Sequence, residues 1–401
     1  MVEDVSDSWF DEVDRKFLNL SSKMADIFSE TYGKLGYRLI APLDPNKFDN
    51  ATSKAKEVGI RALIVLGGVL SFWFAGTYLF LAAVILGAGS KVFRGIGFYF
   101  QKNGFTHIRG SAEETTLVNS KATVMTWNIR GYGGGLHYDH GGVIHWRSRL
   151  DRIVDHIQRE DPDVLVLQEV YDTSLIEALI DRLGSRYANF YTHLGPSTWG
   201  KESGCMVITK CAVHNFTETP FNNNDAEFNR GFATLEIQAS PQDNTPCARI
   251  IGTQLTPDKA AKQKRVEQIA QIVDQLAQEK LALPTLFVGS LHLDRNSEED
   301  RDILARYLNH SYLQIGPTHS DELVNQWAPI AGTEQSSDFI SFFKRNLPDN
   351  RVLPVIERNI RLLESRLVHA FNENYDTKTA LSDHHAVVTT FSGLRPGILV
   401  E

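Results

Sequence analysis

From about residue 118 onward, short apolar runs alternate with segments of helical periodicity. Residues 163–167 read Asp-Val-Leu-Val-Leu, which is typical of a strand buried on both faces. Comparable runs predict strands at 122–127, 206–209, 232–237, 249–255, 285–291, 338–343 and 385–391, and helical spacing predicts helices at 150–157, 259–278, 298–308 and 356–367. This alternation, with more strands than helices, indicates an α/β domain of two packed sheets with helices outside.

A different pattern precedes this domain. Residues 62–90 carry no charged side chain, and this 29-residue run exceeds the roughly 20 apolar residues that a helix needs to span a bilayer. Basic residues flank both ends, so the segment is either a single span or a re-entrant hairpin bending near Gly76. A buried hydrophobic hairpin of a soluble protein is the alternative. We therefore predict an acidic N-terminal region (1–58), a hydrophobic membrane segment (59–94), a linker (95–117) and the α/β domain (118–395).

Charge and cysteine usage narrow the class of function. The formal net charge of −8 gives no general attraction to nucleic acid, which disfavours a non-specific DNA binder but allows a substrate-guided nuclease. Three cysteines do not make a disulfide framework, and no Cys/His cluster has zinc-binding spacing. We expect a membrane-associated protein whose α/β domain lies on the cytoplasmic, reducing side.

Polar residues stand where the predicted strands begin or end. Asn128 ends the first strand and Glu169 follows the second, whereas Asp338 opens a later strand and Asp383–His384 precede the last. Sites gather at strand ends because the sheet fixes the backbone while the side chain reaches a cleft. A carboxylate after a buried strand, such as Glu169, is costly unless it is paired or bound to a cation. These residues form a candidate site.

Six segments occur in a characteristic order: TWNIRG, VLVLQEV, SGCMVITK, FNRGF, SDFI and SDHHAVV. Together they resemble the endonuclease/exonuclease/phosphatase superfamily over residues 118–395, and within it the neutral sphingomyelinase and phospholipase C-like branch. The resemblance implies a four-layer α/β sandwich, with two packed mixed sheets flanked by helices. It also implies metal-dependent phosphodiester hydrolysis. Asn229 and Arg230 are accordingly candidates for substrate binding, Arg230 through its forked donors.

The resemblance implies a role for each matched residue of the site. Glu169 would ligate Mg²⁺, with Asn128 and Asp383 close to the metal and its water, because this cation prefers oxygen ligands. His384 would face the scissile phosphate and stabilise its developing charge. Asp338 would accept a hydrogen bond from the His384 ring and fix its orientation.

The sequence departs from the family pattern at two positions. Gln254 stands where the family has the histidine of a Thr-His-Leu segment, and Ser290 stands where a Gly-Asp-x-Asn motif supplies the general base. A serine hydroxyl is too weakly basic to deprotonate water, and general-base catalysis typically contributes about 10²- to 10⁴-fold. Gln254 carries no positive charge for the transition state. His292, which replaces the asparagine of the motif, is a candidate for a displaced base.

Two functions from different classes follow. The first is a working or impaired Mg²⁺-dependent phosphodiesterase of sphingomyelinase/phospholipase C-like type, acting on membrane lipid. A phospholipid is favoured over nucleic acid as its substrate because the segment 59–94 would hold the domain near lipid. The second is a catalytically inactive pseudoenzyme that serves as a membrane-bound binding or scaffolding module.

Overall fold

The computed structural model describes residues 9–28, 51–74, 76–101, 104–131, 146–196, 202–224, 228–258, 260–294, 297–309, 318, 337–357, 360–369 and 381–399. The α-helices of this part are α1 (Trp9–Phe28), α2 (Ala51–Phe74), α3 (Gly76–Phe100), α4 (Leu150–Glu160), α5 (Thr173–Leu183), α6 (Lys262–Leu276) and α7 (Glu298–Tyr307). The strands are β1 (Thr106–Arg109), β2 (Lys121–Gly131), β3 (Val164–Val170), β4 (Asn189–Thr192), β5 (Met206–Thr209), β6 (Val213–Pro220), β7 (Gly231–Gln238), β8 (Pro246–Gln254), β9 (Leu281–Ala282), β10 (Thr285–Ser290), β11 (Asp338–Phe342), β12 (Arg361–Val368), β13 (Ala386–Ser392) and β14 (Ile398–Leu399).

Most of these strands form two mixed sheets. The larger sheet has the order β1-β4-β5-β3-β2-β13-β12, and the smaller has the order β11-β10-β8-β7-β6. Each sheet contains one parallel pair, β2 with β3 and β8 with β10. The other neighbours in both sheets are antiparallel. Strands β9 and β14 form a separate antiparallel pair.

Three apolar layers hold the domain together. Successive strand residues point to opposite faces, so one strand can contribute to two layers. Val124 of β2 packs between the sheets with Ile250 of β8, whereas Trp127 packs in the layer that contains residues of α4 and α5. On the other side, Phe287 of β10 packs with residues of α6 and α7. The predicted α/β architecture, two mixed sheets with flanking helices, is therefore confirmed.

The charge-free run 62–90 falls on two helices. Helix α2 ends at Phe74 and α3 begins at Gly76, which is where the hairpin interpretation places its bend. Helix α1 packs along α3, where the rings of Phe17 and Phe93 stack with centroids 6.0 Å apart. Within the described ranges, no helix is both long and apolar enough to cross a membrane, and the predicted membrane segment is not supported there.

The structure corrects one predicted element. Residues 356–367 were expected to be helical, but Arg361–Val368 forms β12, which pairs with β13 at the edge of the larger sheet. Most side chains of this edge strand are partly or fully exposed, so its hydrophobic pattern does not alternate as a half-buried strand does. Pairing with β13 decides the conformation, and that contact is not visible in the local sequence.

Candidate active site

Four polar residues lie on the strand faces that point into the layer between the two sheets. Each one stands two residues from an apolar position of the same face or further along it. In β10, Val288 packs between the sheets, and Ser290, two residues further along, lies on the same face. The same spacing places Asn128 near the end of β2, Gln254 at the end of β8 and Asp338 at the start of β11. Ser290 is paired in register with both Asp338 and Gln254. The polar groups therefore meet at one end of the layer between the sheets.

Glu169 receives two amide hydrogen bonds at this position. Asn128 Nδ2 and Gln254 Nε2 each donate to Glu169 Oε1 at 2.8 Å. Glu169 has a φ of 60°, in the left-handed region that is uncommon for residues other than glycine. The next residue, Val170, donates its backbone N–H to the carbonyl oxygen of Gly204 at 2.8 Å. The end of β3 is thus held in a conformation that directs a buried carboxylate toward Asn128 of the neighbouring strand β2 and Gln254 of β8 in the other sheet.

Gln254 and Ser290, the two residues that depart from the family pattern, both contact the imidazole ring of His292. His292 Nε2 lies 3.4 Å from Gln254 Nε2 and 3.5 Å from Ser290 Oγ. The amide nitrogen can only donate a hydrogen bond, so this contact suits the His292 tautomer that accepts at Nε2 and carries its proton on Nδ1. A neutral ring in that tautomer would have the basic lone pair that a general base needs.

His384 and Asp338 form a buried ion pair. His384 Nδ1 lies 2.8 Å from Asp338 Oδ2, and the side chains are almost completely buried. Burial opposes a charged ring, but the charges of Asp338 and Asp383 outweigh it and raise the pKa of His384 to about 9. Burial also opposes the Asp338 carboxylate, yet the charge of His384 holds the pKa of Asp338 below its ordinary value. The pair is therefore imidazolium and carboxylate at neutral pH.

This ion pair adjoins the cluster around Glu169. The rings of His292 and His384 are perpendicular, with centroids 6.3 Å apart. Ser382 also connects the two sides, because its hydroxyl donates to the carbonyl oxygen of Asn128 at 2.6 Å and accepts from the backbone N–H of His384 at 3.2 Å. The structure thus brings Asn128, Glu169, Gln254, Ser290, His292, Asp338 and His384 into one cluster.

Asp383 is placed differently from the other acidic residues of the cluster. Its Oδ2 accepts a hydrogen bond from Arg130 Nη1. Its Oδ1 lies 3.2 Å from the Ser382 hydroxyl, whose single proton is donated to the carbonyl oxygen of Asn128 at 2.6 Å. A metal contact through Oδ2 of Asp383 would therefore have to displace Arg130.

Sequence reasoning missed several residues that support the site. Arg149 is buried and donates to the carbonyl oxygens of Ile129 and Arg130, both at 2.8 Å. The Thr318 hydroxyl accepts from the backbone N–H of Asp338 at 3.0 Å. Arg130 follows Asn128 closely in TWNIRG and could have been found from that motif, whereas nothing in the local sequence marks Thr318.

The two substrate-binding candidates lie beside the cluster. Asn229 Nδ2 donates to the carbonyl oxygen of Pro196 at 3.2 Å, so this side chain joins two loops. Arg230 forms a side-chain hydrogen bond with Tyr171, two residues after Glu169. Burial, only partly offset by Arg230, raises the pKa of Tyr171. Arg230 therefore borders the cluster through Tyr171, and Asn229 fixes the neighbouring loop.

The side chains of the candidate site suit a hard cation such as Mg²⁺, which needs few protein ligands. No group of three or more His, Cys, Asp or Glu side chains that could hold a metal occurs in the described part of the chain. Mg²⁺ keeps several waters and typically binds proteins through one or two carboxylates. Among the described residues, both hydrogen bonds to Glu169 reach Oε1, which leaves Oε2 for such a cation.

The family of the chain is established by its sequence. Residues 125–328, about half of the chain, match the model of the Endonuclease/Exonuclease/phosphatase family, and the chain belongs to this family. The predicted superfamily is thus confirmed. No curated protein sequence matches the chain.

Solved structures share the fold over two thirds of the chain. Sphingomyelinase C from Streptomyces griseocarneus is 19% identical, with a TM-score of 0.50, and the match covers 67% of this chain and 99% of that one. A mutant beta toxin from Staphylococcus aureus with bound magnesium ions is 17% identical, with coverages of 67% and 99% and a TM-score of 0.51. TDP2 from D. rerio in complex with a single strand DNA product is 16% identical, with coverages of 68% and 100% and a TM-score of 0.51. At these identities the likeness concerns the fold alone.

Proposed function

We propose that the chain is a Mg²⁺-dependent phosphodiester hydrolase of sphingomyelinase/phospholipase C-like type with a weakened general base. One observation carries this proposal: the His384–Asp338 ion pair lies beside Glu169 at the same end of the two sheets. A positively charged donor and a cation-binding carboxylate are the two elements that a phosphodiester transition state requires.

Each residue has a task that its contacts support. Glu169 would hold Mg²⁺ through Oε2, and the metal would supply positive charge to the phosphate oxygens. Asn128 and Gln254 orient the carboxylate through Oε1. His384 Nε2, as part of an imidazolium, donates to a phosphate oxygen. His292 Nε2 accepts the proton of the attacking water.

Ser290 is the weak point of this arrangement. It is fully buried and lies in register between Asp338 and Gln254, but it brings no carboxylate to the water. His292 reaches the Ser290 hydroxyl at only 3.5 Å, so proton transfer depends on a ring that this contact holds loosely. Slow hydrolysis is the expected consequence. The alternative, a binding module without turnover, is an outcome of the experiment below.

The proposed substrate is a phospholipid at a membrane surface. The shared fold does not decide this, because sphingomyelinase C and DNA-bound TDP2 both have it. Support comes from the net charge of −8 and from large apolar side chains exposed on α2 and α3, including Leu63 (67%), Ile85 (65%) and Val92 (59%). We place these helices on lipid and the α/β domain on the reducing, cytoplasmic side. The three cysteines are buried and free, which agrees with that side.

Hydrolysis assays test this proposal. The full chain is incubated with sphingomyelin or phosphatidylcholine vesicles and, separately, with a dinucleotide, each with Mg²⁺ or with EDTA. We expect Mg²⁺-dependent release of the phosphorylated head group, lost in His384→Ala and retained in His214→Ala, a matched control at an exposed histidine. Equal rates for the wild type and His384→Ala would leave only the binding-module function. Cleavage of the dinucleotide but of neither lipid would indicate that the substrate is a nucleic acid.

A further inference from the structure

A second buried charge cluster lies outside the candidate active site. Glu202 is 1% exposed and His193 is 3% exposed, with His193 Nδ1 2.9 Å from Glu202 Oε2. A carboxylate only accepts, so His193 donates from Nδ1. The positive partner of Glu202 comes from helix α3, where Arg94 Nη2 lies 3.4 Å from Glu202 Oε1. The carboxylate therefore joins helix α3 to His193, which directly follows β4.

Other contacts fix residues 193–195 against the same helix and the segment after it. The ring of Phe98 in α3 meets the ring of His193 edge to face, with centroids 6.4 Å apart. The backbone N–H of Gly195 donates to the carbonyl oxygen of Gly104 at 3.3 Å. The contacts of α3 and of the segment after it thus fix residues 193–195 and Glu202.

A short backbone path leads from Glu202 to Glu169. Ser203 follows Glu202 and donates its N–H to the carbonyl oxygen of Leu194 at 2.9 Å. Gly204 then accepts the N–H of Val170, the residue after Glu169, at 2.8 Å. Gly204 has a φ of +72°, and an added Cβ would lie 2.4 Å from the Tyr171 ring, so this segment has little room to move.

Burial makes Glu202 dependent on its charged partner. A carboxylate as buried as Glu202 is costly when it loses a charged partner, because the remaining charge stays uncompensated. Withdrawal of Arg94 therefore favours a backbone position of residues 202–204 in which Glu202 reaches water. Such a change moves Gly204 and releases the hydrogen bond that holds the strained backbone at Glu169.

We propose that Glu202 is a positioning residue: paired with Arg94 and His193, it fixes the Gly204–Val170 contact and thereby the orientation of Glu169. The N-terminal helix α3 is then a working part of the catalytic unit. This inference rests on the proposed function insofar as Glu169 binds the metal. Removal of a supporting partner of a metal ligand typically weakens metal affinity by about 10- to 100-fold.

Two measurements without turnover test the inference. Mn²⁺ affinity is measured by calorimetry with Mn²⁺ alone, and amide exchange of the peptide that contains Val170 is followed by mass spectrometry. Glu202→Gln and Arg94→Met should each weaken Mn²⁺ affinity about tenfold or more and speed exchange at Val170. Arg94→Lys, which keeps the charge, should restore both toward the wild type. Lys56→Met removes the same charge from an exposed position of α2 and should change neither.

The outcomes separate the inference from the proposed function. Wild-type affinity and wild-type exchange in both Glu202→Gln and Arg94→Met would overturn the positioning role. Faster exchange with unchanged Mn²⁺ affinity would also overturn it, since that result describes a purely structural contact. If the wild type binds no Mn²⁺, the metal role of Glu169 fails, and exchange at Val170 alone decides whether Glu202 positions this backbone. Because Arg94 is partly exposed, Arg94→Met can still be measured if Glu202→Gln does not fold.

Discussion

Ser290→Asp should convert a slow site into a faster one. The substitution places a carboxylate next to His292 and in register with Gln254 and Asp338, where the family pattern has its general base. A positioned base contributes about 10²- to 10⁴-fold, which corresponds to about 3 to 5 kcal/mol of barrier. We expect Mg²⁺-dependent hydrolysis of the preferred phosphodiester to rise within that range.

The same substitution should weaken the fold when no metal is bound. Ser290 is fully buried, and its strand partner Asp338 already carries a charge. The His384 imidazolium offsets part of the repulsion. A loss of about 2 kcal/mol in the free energy of unfolding is therefore expected without Mg²⁺, with partial recovery when Mg²⁺ is added.

Ser290→Asn is the matched control for this experiment. Asparagine has nearly the shape of aspartate but no basic oxygen, so it should fold without any gain in rate. The assay compares kcat/KM of the three proteins over pH, together with urea unfolding with and without Mg²⁺. A folded Ser290→Asp variant that is no faster than Ser290→Asn would refute the reasoning, because the missing base would then not limit the reaction.

Three further predictions concern the ion pairs and the exposed helices. The pKa of His384, about 9, lies above its unfolded value, so its charged ring stabilises the fold fully below about pH 6.5 and less as pH rises through 9. Unfolding free energies of the wild type and His384→Gln should converge at high pH, and a constant difference would contradict this. Arg130→Met should cost about 3 kcal/mol or more in urea unfolding, with part recovered by adding Asp383→Asn. Val92→Asp in α3 should reduce vesicle co-sedimentation, whereas Val352→Asp, at an equally exposed valine, should not.

The elements that the sequence revealed are those with a strong local pattern. Strands such as β3 and β10 are buried along their whole length, and their apolar runs coincide closely with the observed strands. Strands β6 and β12, at sheet edges, have many exposed or partly exposed positions, and the pattern did not reveal them as strands. Their conformation is set by pairing with β7 and β13. Local sequence thus predicts buried apolar strands, including the edge strand β11, better than exposed edge strands such as β6 and β12.

In the candidate site, too, some residues could be predicted from the local sequence and others could not. Asn128, Glu169 and His384 could be picked out because strand ends place side chains at predictable positions. The bond between Arg130 and Asp383 joins residues far apart in the chain, and only the paired strands β2 and β13 bring them together. Pairings of this kind depend on the tertiary fold, and no spacing rule reveals them.

The ion pair between His384 and Asp338 bears on the choice between enzyme and binding module. A stable fold does not require such a pair. A protein with apolar residues in place of a buried ion pair is often equally stable or more stable. Here the pair is buried, with the pKa of His384 raised to about 9, and it stands beside the carboxylate of Glu169. A charged donor held in this way is suited to an anion that enters the cleft. A module that only binds phosphate would use this donor equally well, so His384→Ala should weaken phosphate binding in either case. Only a hydrolysis rate that His384→Ala abolishes distinguishes catalysis from binding.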